Sequence, residues 1–490
     1  PFGSPAFLLA RISSDILRLE AVWSHSSALV PCIPGMNVRL FLAILVLWGP
    51  LMVSTASAAG FALVEQSVSG LGTAFAGQSA VAADASTVFY NPAGMTRLAG
   101  DHLLLGVHFV EPSTKFDPET AENVLGEPFT GGEGGDAGRS AFVPNLHGVM
   151  GREGGYAFGI AISSPFGLST GYPRDWVGRY HAVESELETL NINPAVARKV
   201  GKSLSLGAGI SAQYIRVRLS SMVDYGLQAA MFDPANVALA SDRRADIHSD
   251  LEADDWGYGF NLGALYEVDD DTRFGISYRS SITHRLEGDA DFSIPSAFLA
   301  DFPAAGGGTL ADAAAFVYCN QGARSKVTLP ASTSLSGYHR LTPDFAVMAD
   351  LTWTDWSRFE KLVIEFERTL PPSVTTEQWH DAWRYSVGAV WSPSQEFALR
   401  TGVAYDESPV PERYRTPRVP DADRLWTAIG VGCRLGKQAA LDLGYAHLFI
   451  REANLRRVAV AGGEDAGRGT LIGSYDSDVD IFSVQLTAHF

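Results

Sequence analysis

The sequence predicts an all-β protein, a 14-stranded antiparallel transmembrane β-barrel. Three observations lead to this prediction. Segments in which apolar and polar residues alternate recur along the chain. Short turns alternate with long loops between these segments. After the first 60 residues no apolar run is long enough for a membrane-spanning helix, so any crossing of a membrane must use strands.

The composition narrows the class of protein. Aromatic residues make up 11% of the chain and glycines number 49, which suits a membrane barrel with aromatic girdles and tight turns. The formal charge of −18 argues against nucleic acid as a partner. Cys319 and Cys433 lie far apart and lack the spacing of metal ligands, so no metal and no cofactor is expected. Whether these two cysteines pair is left open.

The N-terminal region has the features of a secretion signal. Arg39 follows Met36 and precedes an apolar stretch, and Ala56-Ser57-Ala58 gives the small-x-small pattern of a cleavage site before Ala59. The predicted divisions are a non-native upstream extension at 1–35, a signal peptide at 36–58, an N-terminal segment at 59–100 and a barrel at 101–490.

The alternation that predicts strands is clearest at the C-terminus. Apolar residues occupy every second position from Phe482 to Phe490, and polar residues such as Gln485 lie between them. Residues 256–266 repeat the pattern, with Trp256 and Tyr266 at the two ends, where the girdles of a barrel lie. One face of each such strand is expected to contact lipid.

Turn and loop lengths give the strand number. Short turns belong to the periplasmic edge of such a barrel and long loops to the outside. Six turns and seven loops separate fourteen strands, an even number that leaves both ends on one side. The predicted turns are 151–155, 200–202, 269–271, 342–344, 392–395 and 436–438. The predicted loops are 111–140, 167–188, 220–253, 291–326, 358–380, 407–422 and 452–473.

Several segments resemble one known family. Residues 59–95 are rich in small residues, almost uncharged, and end near Asn91-Pro92-Ala93. Together with SSPFGLSTGYP, YDESPVP, RTPRVPDADRLW and LDLGYAHLFI, in that order along the chain, they resemble the outer-membrane long-chain fatty acid and hydrophobic compound transporters of the FadL/TodX type. The resemblance implies that the β-barrel is plugged by an N-terminal hatch, residues 59–100. It also implies a monomeric Gram-negative outer-membrane transporter, surrounded by lipid and lipopolysaccharide, with hydrophobic small molecules as partners.

The resemblance also implies a lateral opening in the barrel wall. The family has a kink in its third strand, and the matching residues are Pro165, Phe166 and Gly167. A proline donates no ladder hydrogen bond and a glycine tolerates a sharp bend, so a kink is physically reasonable there. In the family, the triplet matching Asn91, Pro92 and Ala93 packs the hatch against this kink, which implies a role in gating.

Ligand-binding residues are implied in three places. The N-terminal tip, with Ala59, Phe61 and Leu63, is expected beside the ligand pocket. The apolar loop segments 225–240 and 292–318 are expected to form a hydrophobic landing groove, with short helices at 228–240 and 309–318.

The third place is a pair of arginines. Arg216 and Arg218 resemble a family arginine that meets the fatty acid carboxylate. Strict alternation, however, puts both in phase with lipid-facing Tyr214, so they reach the lumen only if a bulge intervenes. Fatty acids and neutral hydrocarbons, aromatic ones included, therefore both stay open as cargo.

An outer-membrane hydrolase is the alternative from another functional class. Residues Gly167–Gly171 match G-x-S-x-G, the motif of a nucleophilic serine. That motif acts at a strand-to-helix elbow in a soluble α/β fold, which this sequence does not predict. We therefore expect a passive transporter with no catalytic residues.

Overall fold

A computed structural model describes residues 60–490, and these form one closed antiparallel sheet around an N-terminal segment. The predicted signal peptide, the upstream extension and Ala59 lie outside the described residues. The sheet closes where β1 (Asp101–Glu122) pairs with β20 (Thr470–His489). Six strands are interrupted, so the fourteen strands consist of twenty segments.

The segments between β1 and β20 are β2 (Ala141–Arg152), β3 (Tyr156–Ser163), β4 (Gly167–Gly171), β5 (Glu184–Val200), β6 (Leu204–Val223), β7 (Ile247–Glu267), β8 (Thr272–Arg279), β9 (Ile282–Ser293), β10 (Gln321–Leu329), β11 (Ser332–Thr342), β12 (Phe345–Thr354), β13 (Lys361–Phe366), β14 (Ser373–Thr376), β15 (Ala382–Trp391), β16 (Phe397–Asp406), β17 (Arg424–Arg434), β18 (Ala439–Ile450) and β19 (Ala453–Arg457). The interrupted strands are β3/β4, β8/β9, β10/β11, β12/β13, β14/β15 and β18/β19.

The turns and loops confirm the predicted fourteen strands. Short turns join the strands at one edge of the barrel, and long loops join them at the other, where several strands continue past the predicted loop boundaries. Asp101 and Phe490 meet at the short-turn edge, where the Phe490 N–H donates to the Asp101 carbonyl at 2.9 Å. Below, "upper" means towards the long loops and "lower" towards the short turns.

The alternation of the strands sorts residues between the two faces of the wall as expected. Trp256, Tyr258 and Phe260 are exposed on the outer face of β7. Gln485 of β20 is buried in the lumen, whereas Phe482 is exposed outside. The outer face is therefore an apolar belt of the kind that contacts lipid. No helix in residues 60–490 is long and apolar enough to cross a membrane.

The N-terminal segment, residues 60–100, lies inside the ring of strands. Its helices are short: α1 (Val68–Leu71), α2 (Gln78–Val81), α3 (Thr87–Tyr90) and a 3₁₀ helix, Pro92–Arg97. Its polar groups bond to strands on different sides of the ring. These bonds join Gln66 to His147 of β2, Thr96 to Ser205 of β6, Ser79 to Ser336 of β11 and Val68 to Gln485 of β20.

The upper loops carry three helices, α4 (Tyr225–Phe232), α5 (Ser296–Leu299) and α6 (Leu310–Val317), together with short 3₁₀ turns. Helices α4 and α6 confirm the short helices predicted near 228–240 and 309–318. They pack against each other, and the Tyr225 hydroxyl donates to the Leu310 carbonyl at 3.2 Å. The two apolar loops therefore share one hydrophobic cluster.

Candidate functional site

At its interruption the third strand contains one residue more than the facing stretch of β5. Ser163, the last residue of β3, pairs with Asn191 of β5, and Gly167, the first residue of β4, pairs with Glu188. Four steps along the third strand thus face three steps along β5. The surplus residue is a bulge, and it falls where Pro165 cannot donate a ladder hydrogen bond.

This bulge leaves a gap in the barrel wall. On its other side the third strand pairs with β2 only as far as Ile162 with Leu146. Pairing resumes higher up as an isolated bridge between Thr170 and Gly138. Within the described chain, no backbone pairing joins 139–145 to 163–169 between these two points. We call this stretch, in which the second and third strands are not hydrogen-bonded to each other, the wall gap.

The N-terminal segment lines the inner side of the bulge. The Leu63 N–H donates to the Pro165 carbonyl at 2.8 Å, and the Gly167 N–H donates to the Phe61 carbonyl at 2.9 Å. These bonds make residues 61–63 a short strand partner of the bulge. The predicted ligand-lining residues Phe61 and Leu63 thus lie at the interrupted strand.

An aromatic cluster surrounds Phe61. Its ring centroid lies 4.7 Å from that of Trp356, 5.5 Å from that of Trp379 and 5.9 Å from that of Phe359. Phe166 of the bulge lies 6.3 Å away, and all five side chains are buried. We call these five residues the aromatic cluster.

Residue 60 must be small for this cluster to form. Gly60 has φ +63°, and a Cβ atom there would lie 2.7 Å from the Trp379 ring. Its N–H donates to a carboxylate oxygen of Asp421 at 2.9 Å, which ties the N-terminal tip to the loop between β16 and β17.

Cavities lie on both sides of the aromatic cluster. The upper cavity, of about 90 Å³, is lined mainly by aliphatic side chains such as Leu168, Leu187 and Val327, with Phe61 at its wall. The lower cavity, of about 160 Å³, is lined by Leu63, Pro165 and Phe166 among others. The aromatic cluster therefore separates an apolar chamber from the space beside the wall gap.

A groove between the upper loops leads to the upper cavity. It has a volume of about 820 Å³ and is lined by residues of α4, α6 and neighbouring loops. The predicted landing segments 225–240 and 292–318 both contribute to it. The groove and the upper cavity share the lining residues Leu219, Leu251, Leu362, Ile364 and Arg418.

Two ionisable residues outside the strand segments line the upper cavity. Arg418 donates to the carbonyls of Glu184 and Ser220 at 3.0 and 3.2 Å and to the Ser185 hydroxyl at 3.0 Å. Burial lowers the pKa of Arg418 to about 10, which still leaves it charged at neutral pH. Burial raises the pKa of Glu377 to about 7, and its carboxylate accepts the Trp379 indole N–H at 2.9 Å.

Comparison with known proteins identifies the family. The sequence profile described as "Outer membrane protein transport protein (OMPP1/FadL/TodX)" matches residues 50–490. The chain belongs to the FadL/TodX family of outer-membrane transport proteins. It is therefore an outer-membrane β-barrel of a family made up of transporters and channels.

Individual relatives agree with this placement. The chain is 31% identical over 421 residues to the long-chain fatty acid transport protein of Escherichia coli K12, covering 81% of this chain and 89% of the relative. It is 31% identical over 466 residues to a putative outer membrane protein of Neisseria meningitidis serogroup B, covering 91% of this chain and 98% of the relative. The crystal structure of a Pseudomonas aeruginosa FadL homologue has TM-score 0.79 and 25% identity, covering 88% of this chain and 100% of that one.

The triplet that the FadL/TodX resemblance assigns to gating has a different partner from the expected one. Asn91 donates to the Ser79 and Ala264 carbonyls at 2.6 and 3.0 Å. A Cβ atom on Gly263 of β7 would lie 2.0 Å from the Asn91 side-chain oxygen, so that glycine permits the close approach. The hydrogen bonds of Asn91 therefore go to β7 and to the N-terminal segment itself. Residues 61–66, in contrast, form hydrogen bonds with the bulge.

The arginines expected to meet a carboxylate lie outside the lumen. The pairing of β6 with β7 runs without a break from Leu204 to Val223, so no bulge turns Arg216 and Arg218 inward. Arg216 pairs with Glu252 and Arg218 with Asp250, both at 2.7 Å, and both arginines are half-exposed. Both side chains therefore lie on the outer face, as the alternation in the sequence had indicated, and their ligand role stays a prediction.

Sequence reasoning missed Arg418, Glu377 and the two tryptophans of the aromatic cluster. Arg418 lies in the upper loop between β16 and β17. Trp356, Glu377 and Trp379 lie at the interruptions β12/β13 and β14/β15. No periodicity marks an inward side chain at either kind of place. The G-x-S-x-G match has a plain structural role, because Ser169 lies inside β4 and not at a strand-to-helix elbow.

Proposed function

We propose that this protein moves hydrophobic molecules, long-chain fatty acids foremost, passively across the outer membrane through the gap in its wall. The observation that carries the proposal is the one-residue bulge at residues 164–166. It opens the wall beside the lower cavity, and its inner side touches the N-terminal tip. A wall gap at this point faces the apolar belt of the barrel.

The proposed route follows the cavities in order. Cargo binds in the groove between the upper loops and enters the apolar upper cavity. Displacement of Phe61 from the aromatic cluster then connects this cavity with the space beside Pro165. From there the cargo leaves sideways between the second and third strands into the bilayer.

A sideways exit suits apolar cargo energetically. Each Å² of apolar surface removed from water contributes about 25 cal/mol, so a fatty acyl chain is most stable if it passes from protein to lipid without exposure. The movement then follows the concentration gradient. A path straight down would instead require the hydrogen-bonded N-terminal segment to leave the lumen.

Fatty acids are proposed over neutral hydrocarbons for two reasons. The relatives with long coverage include proteins named long-chain fatty acid transport protein. A half-buried arginine, Arg418, also lies at the junction of groove and upper cavity. Neutral apolar cargo such as toluene remains the competing hypothesis, and the experiment below includes it.

Deletion of Pro165 tests the role of the gap. After this deletion the third strand and β5 have the same number of residues between their paired positions. Leu168 still faces the lumen. The straightened strand can then pair with β2 and close the wall. Uptake of radiolabelled oleate is measured in Gram-negative cells that lack their own transporter, at equal surface amounts of protein. We expect uptake by the variant to fall at least tenfold.

Deletion of Gly462 is the matched control. This residue lies in the upper loop between β19 and β20, and a Cβ atom added to it would have no neighbour within 4 Å. The control should keep wild-type uptake. Unchanged uptake after deletion of Pro165 would contradict the lateral route. Uptake of labelled toluene but not of oleate by the wild type would favour the neutral-cargo hypothesis.

A further inference from the structure

The groove holds three arginines, and one of them differs from the others. Arg457 pairs with Glu464 at 2.7 Å and Asp465 at 2.8 Å, and Arg468 pairs with the same two carboxylates at 3.6 and 3.4 Å. Among residues 60–490, no carboxylate oxygen lies within the 4.0 Å ion-pair distance of the Arg418 guanidinium. The hydrogen bonds of Arg418 thus all go to neutral oxygen atoms, and Glu377 acts on its charge from beyond ion-pair distance.

Arg418 also has donors to spare. A guanidinium carries five N–H groups. The protein accepts three hydrogen bonds from Arg418, through two backbone carbonyls and one hydroxyl. At least two N–H groups are thus left for a ligand, which is the number that a bidentate carboxylate uses.

The loop around Arg418 is held rigidly against the third strand. The Tyr172 hydroxyl donates to the Pro417 carbonyl at 2.8 Å, and the Thr170 hydroxyl donates to the Arg418 carbonyl at 3.2 Å. An isolated β-bridge between Thr416 and Val419 closes the turn. A fixed guanidinium loses little freedom when it binds an anion, so its position favours recognition over nonspecific attraction.

The surroundings of Arg418 select an amphiphile over a small soluble anion. Its neighbours at the junction of the groove and the upper cavity are the aliphatic side chains Leu219, Leu251, Leu362 and Ile364. An acetate ion would gain the charge interaction there but would leave the apolar lining uncovered. A long alkyl chain attached to the carboxylate covers that lining as well.

We propose that Arg418 is the residue that binds the carboxylate of an anionic amphiphile, whose alkyl chain lies along the apolar lining of the groove and upper cavity. This inference rests on the proposed transport function and adds its specificity-determining residue. Arg216 and Arg218, which face outwards, have no part in it. Cargo without a headgroup would bind the same lining with no contribution from Arg418.

The test compares two ligands that differ only in the headgroup. Affinities for dodecanoate and dodecanol are measured on the purified full chain in neutral detergent at pH 7.5, by competition with a fluorescent fatty acid. We expect Arg418→Gln to weaken dodecanoate binding at least tenfold and to change dodecanol binding less than twofold. Arg418→Lys should recover part of the loss, because a lysine keeps the charge but not the bidentate geometry.

Arg216→Gln is the matched control, and it should leave both affinities unchanged. Circular dichroism confirms that each variant is a folded barrel. If Arg418→Gln weakens the binding of both ligands by the same factor, Arg418 only supports the cavity. If it changes neither affinity, Arg418 does not bind the headgroup. Either result overturns the proposal, while binding of both ligands by the wild type still supports a hydrophobic transport site. A wild type that binds neither ligand contradicts the transport function itself and the present proposal with it.

Discussion

The lumen above the aromatic cluster and the lumen below it are built from different interactions. Above, the groove and upper cavity are lined mainly by aliphatic and aromatic side chains. Below, wall arginines donate to carbonyls of the N-terminal segment: Arg273 to Ala80 at 2.7 Å, Arg279 to Phe89 at 2.8 Å and Arg384 to Ala74 at 2.9 Å. A further cavity of about 850 Å³ at the turn side is lined by many polar side chains, including Asp84, Arg400 and Asp442.

This difference indicates where the barrel can move. Apolar contacts have no preferred direction, so an alkyl chain can slide along them at little cost. A buried hydrogen bond, in contrast, leaves an unsatisfied group worth about 1–3 kcal/mol when it breaks. The upper half is thus suited to passage and the lower half to sealing. The wall gap lies at the boundary between the two, beside the aromatic cluster.

Removal of the Phe61 ring should have the largest effect, because it joins the two halves. Truncation of a buried aromatic side chain costs about 3–5 kcal/mol, and Phe61 has four aromatic neighbours. We expect Phe61→Ala to raise oleate uptake at least tenfold at equal surface amounts of protein, because the two cavities are then joined. Phe109→Ala, which truncates an outer-face ring paired with Phe142, is the control. Uptake equal to that of the wild type would show that Phe61 does not separate the cavities.

Loss of the Asn91 side chain should loosen the lower half alone. Its amide makes three hydrogen bonds, and Asn91→Ala leaves the carbonyls of Ser79 and Ala264 and the N–H of Ala93 without that partner. Hydrogen exchange of residues 78–95, followed by mass spectrometry, should quicken by about tenfold or more, as expected for a loss of at least 1.4 kcal/mol. Dodecanoate binding above should stay within twofold. Unchanged exchange would mean that Asn91 does not hold the segment.

A change of pH should affect the upper half through Glu377. Its pKa is raised to about 7 by burial and also by Glu464, while the Trp379 N–H, Arg457 and Arg418 oppose the rise. Glu377 is therefore neutral below pH 7 and negative above it, beside the guanidinium that is proposed to bind the ligand. Burial holds the pKa of His181 in the groove at about 4, so that this imidazole stays neutral throughout.

Dodecanoate affinity of the wild type should consequently fall about three- to tenfold between pH 6 and pH 8 through repulsion by Glu377. Glu377→Gln keeps an acceptor for Trp379 and should make the affinity independent of pH in this range. Dodecanol is the neutral control and should bind equally at both values. A slope that persists in Glu377→Gln would assign the effect to another group.

The smallest effect is expected on the outer face. Arg218 makes a bidentate ion pair with Asp250, but both groups are partly exposed, and such pairs contribute about 0–1 kcal/mol. Arg218→Gln should change dodecanoate affinity and uptake by less than twofold. A tenfold loss of affinity would place this arginine in the binding site after all.

The contrast between the two regions also explains what the sequence could predict. The strands follow from alternation, because lipid on one side and the lumen on the other impose a period of two on residues such as 256–266. A kink was expected at Pro165-Phe166-Gly167 from the family resemblance, and a proline and a glycine two residues apart suit it. The one-residue surplus itself needs the register with β5 and becomes visible only in the structure.

The binding residues were harder to predict for a physical reason. Arg418 lies in an upper loop, and Glu377, Trp356 and Trp379 lie at strand interruptions. The closed fold rather than periodicity brings them to one place. Alternation did place Arg216 correctly on the outer face, against the role that the family resemblance implied. The partner of Asn91 could not be foreseen, because β7 meets the N-terminal segment only once the barrel has closed.

A reversible cross-link in the lower half distinguishes a sideways exit through the wall gap from passage straight down the lumen. The hydroxyls of Ser79 in α2 and Ser277 in β8 lie 2.8 Å apart, so Ser79→Cys with Ser277→Cys should form a disulfide that fixes the N-terminal segment to the wall. Oleate uptake is compared in oxidised and reduced cells. We expect equal oleate uptake in oxidised and reduced cells, because cargo leaves through the wall gap above the cross-link. Uptake that stops on oxidation and returns on reduction would show that cargo passes straight down the lumen.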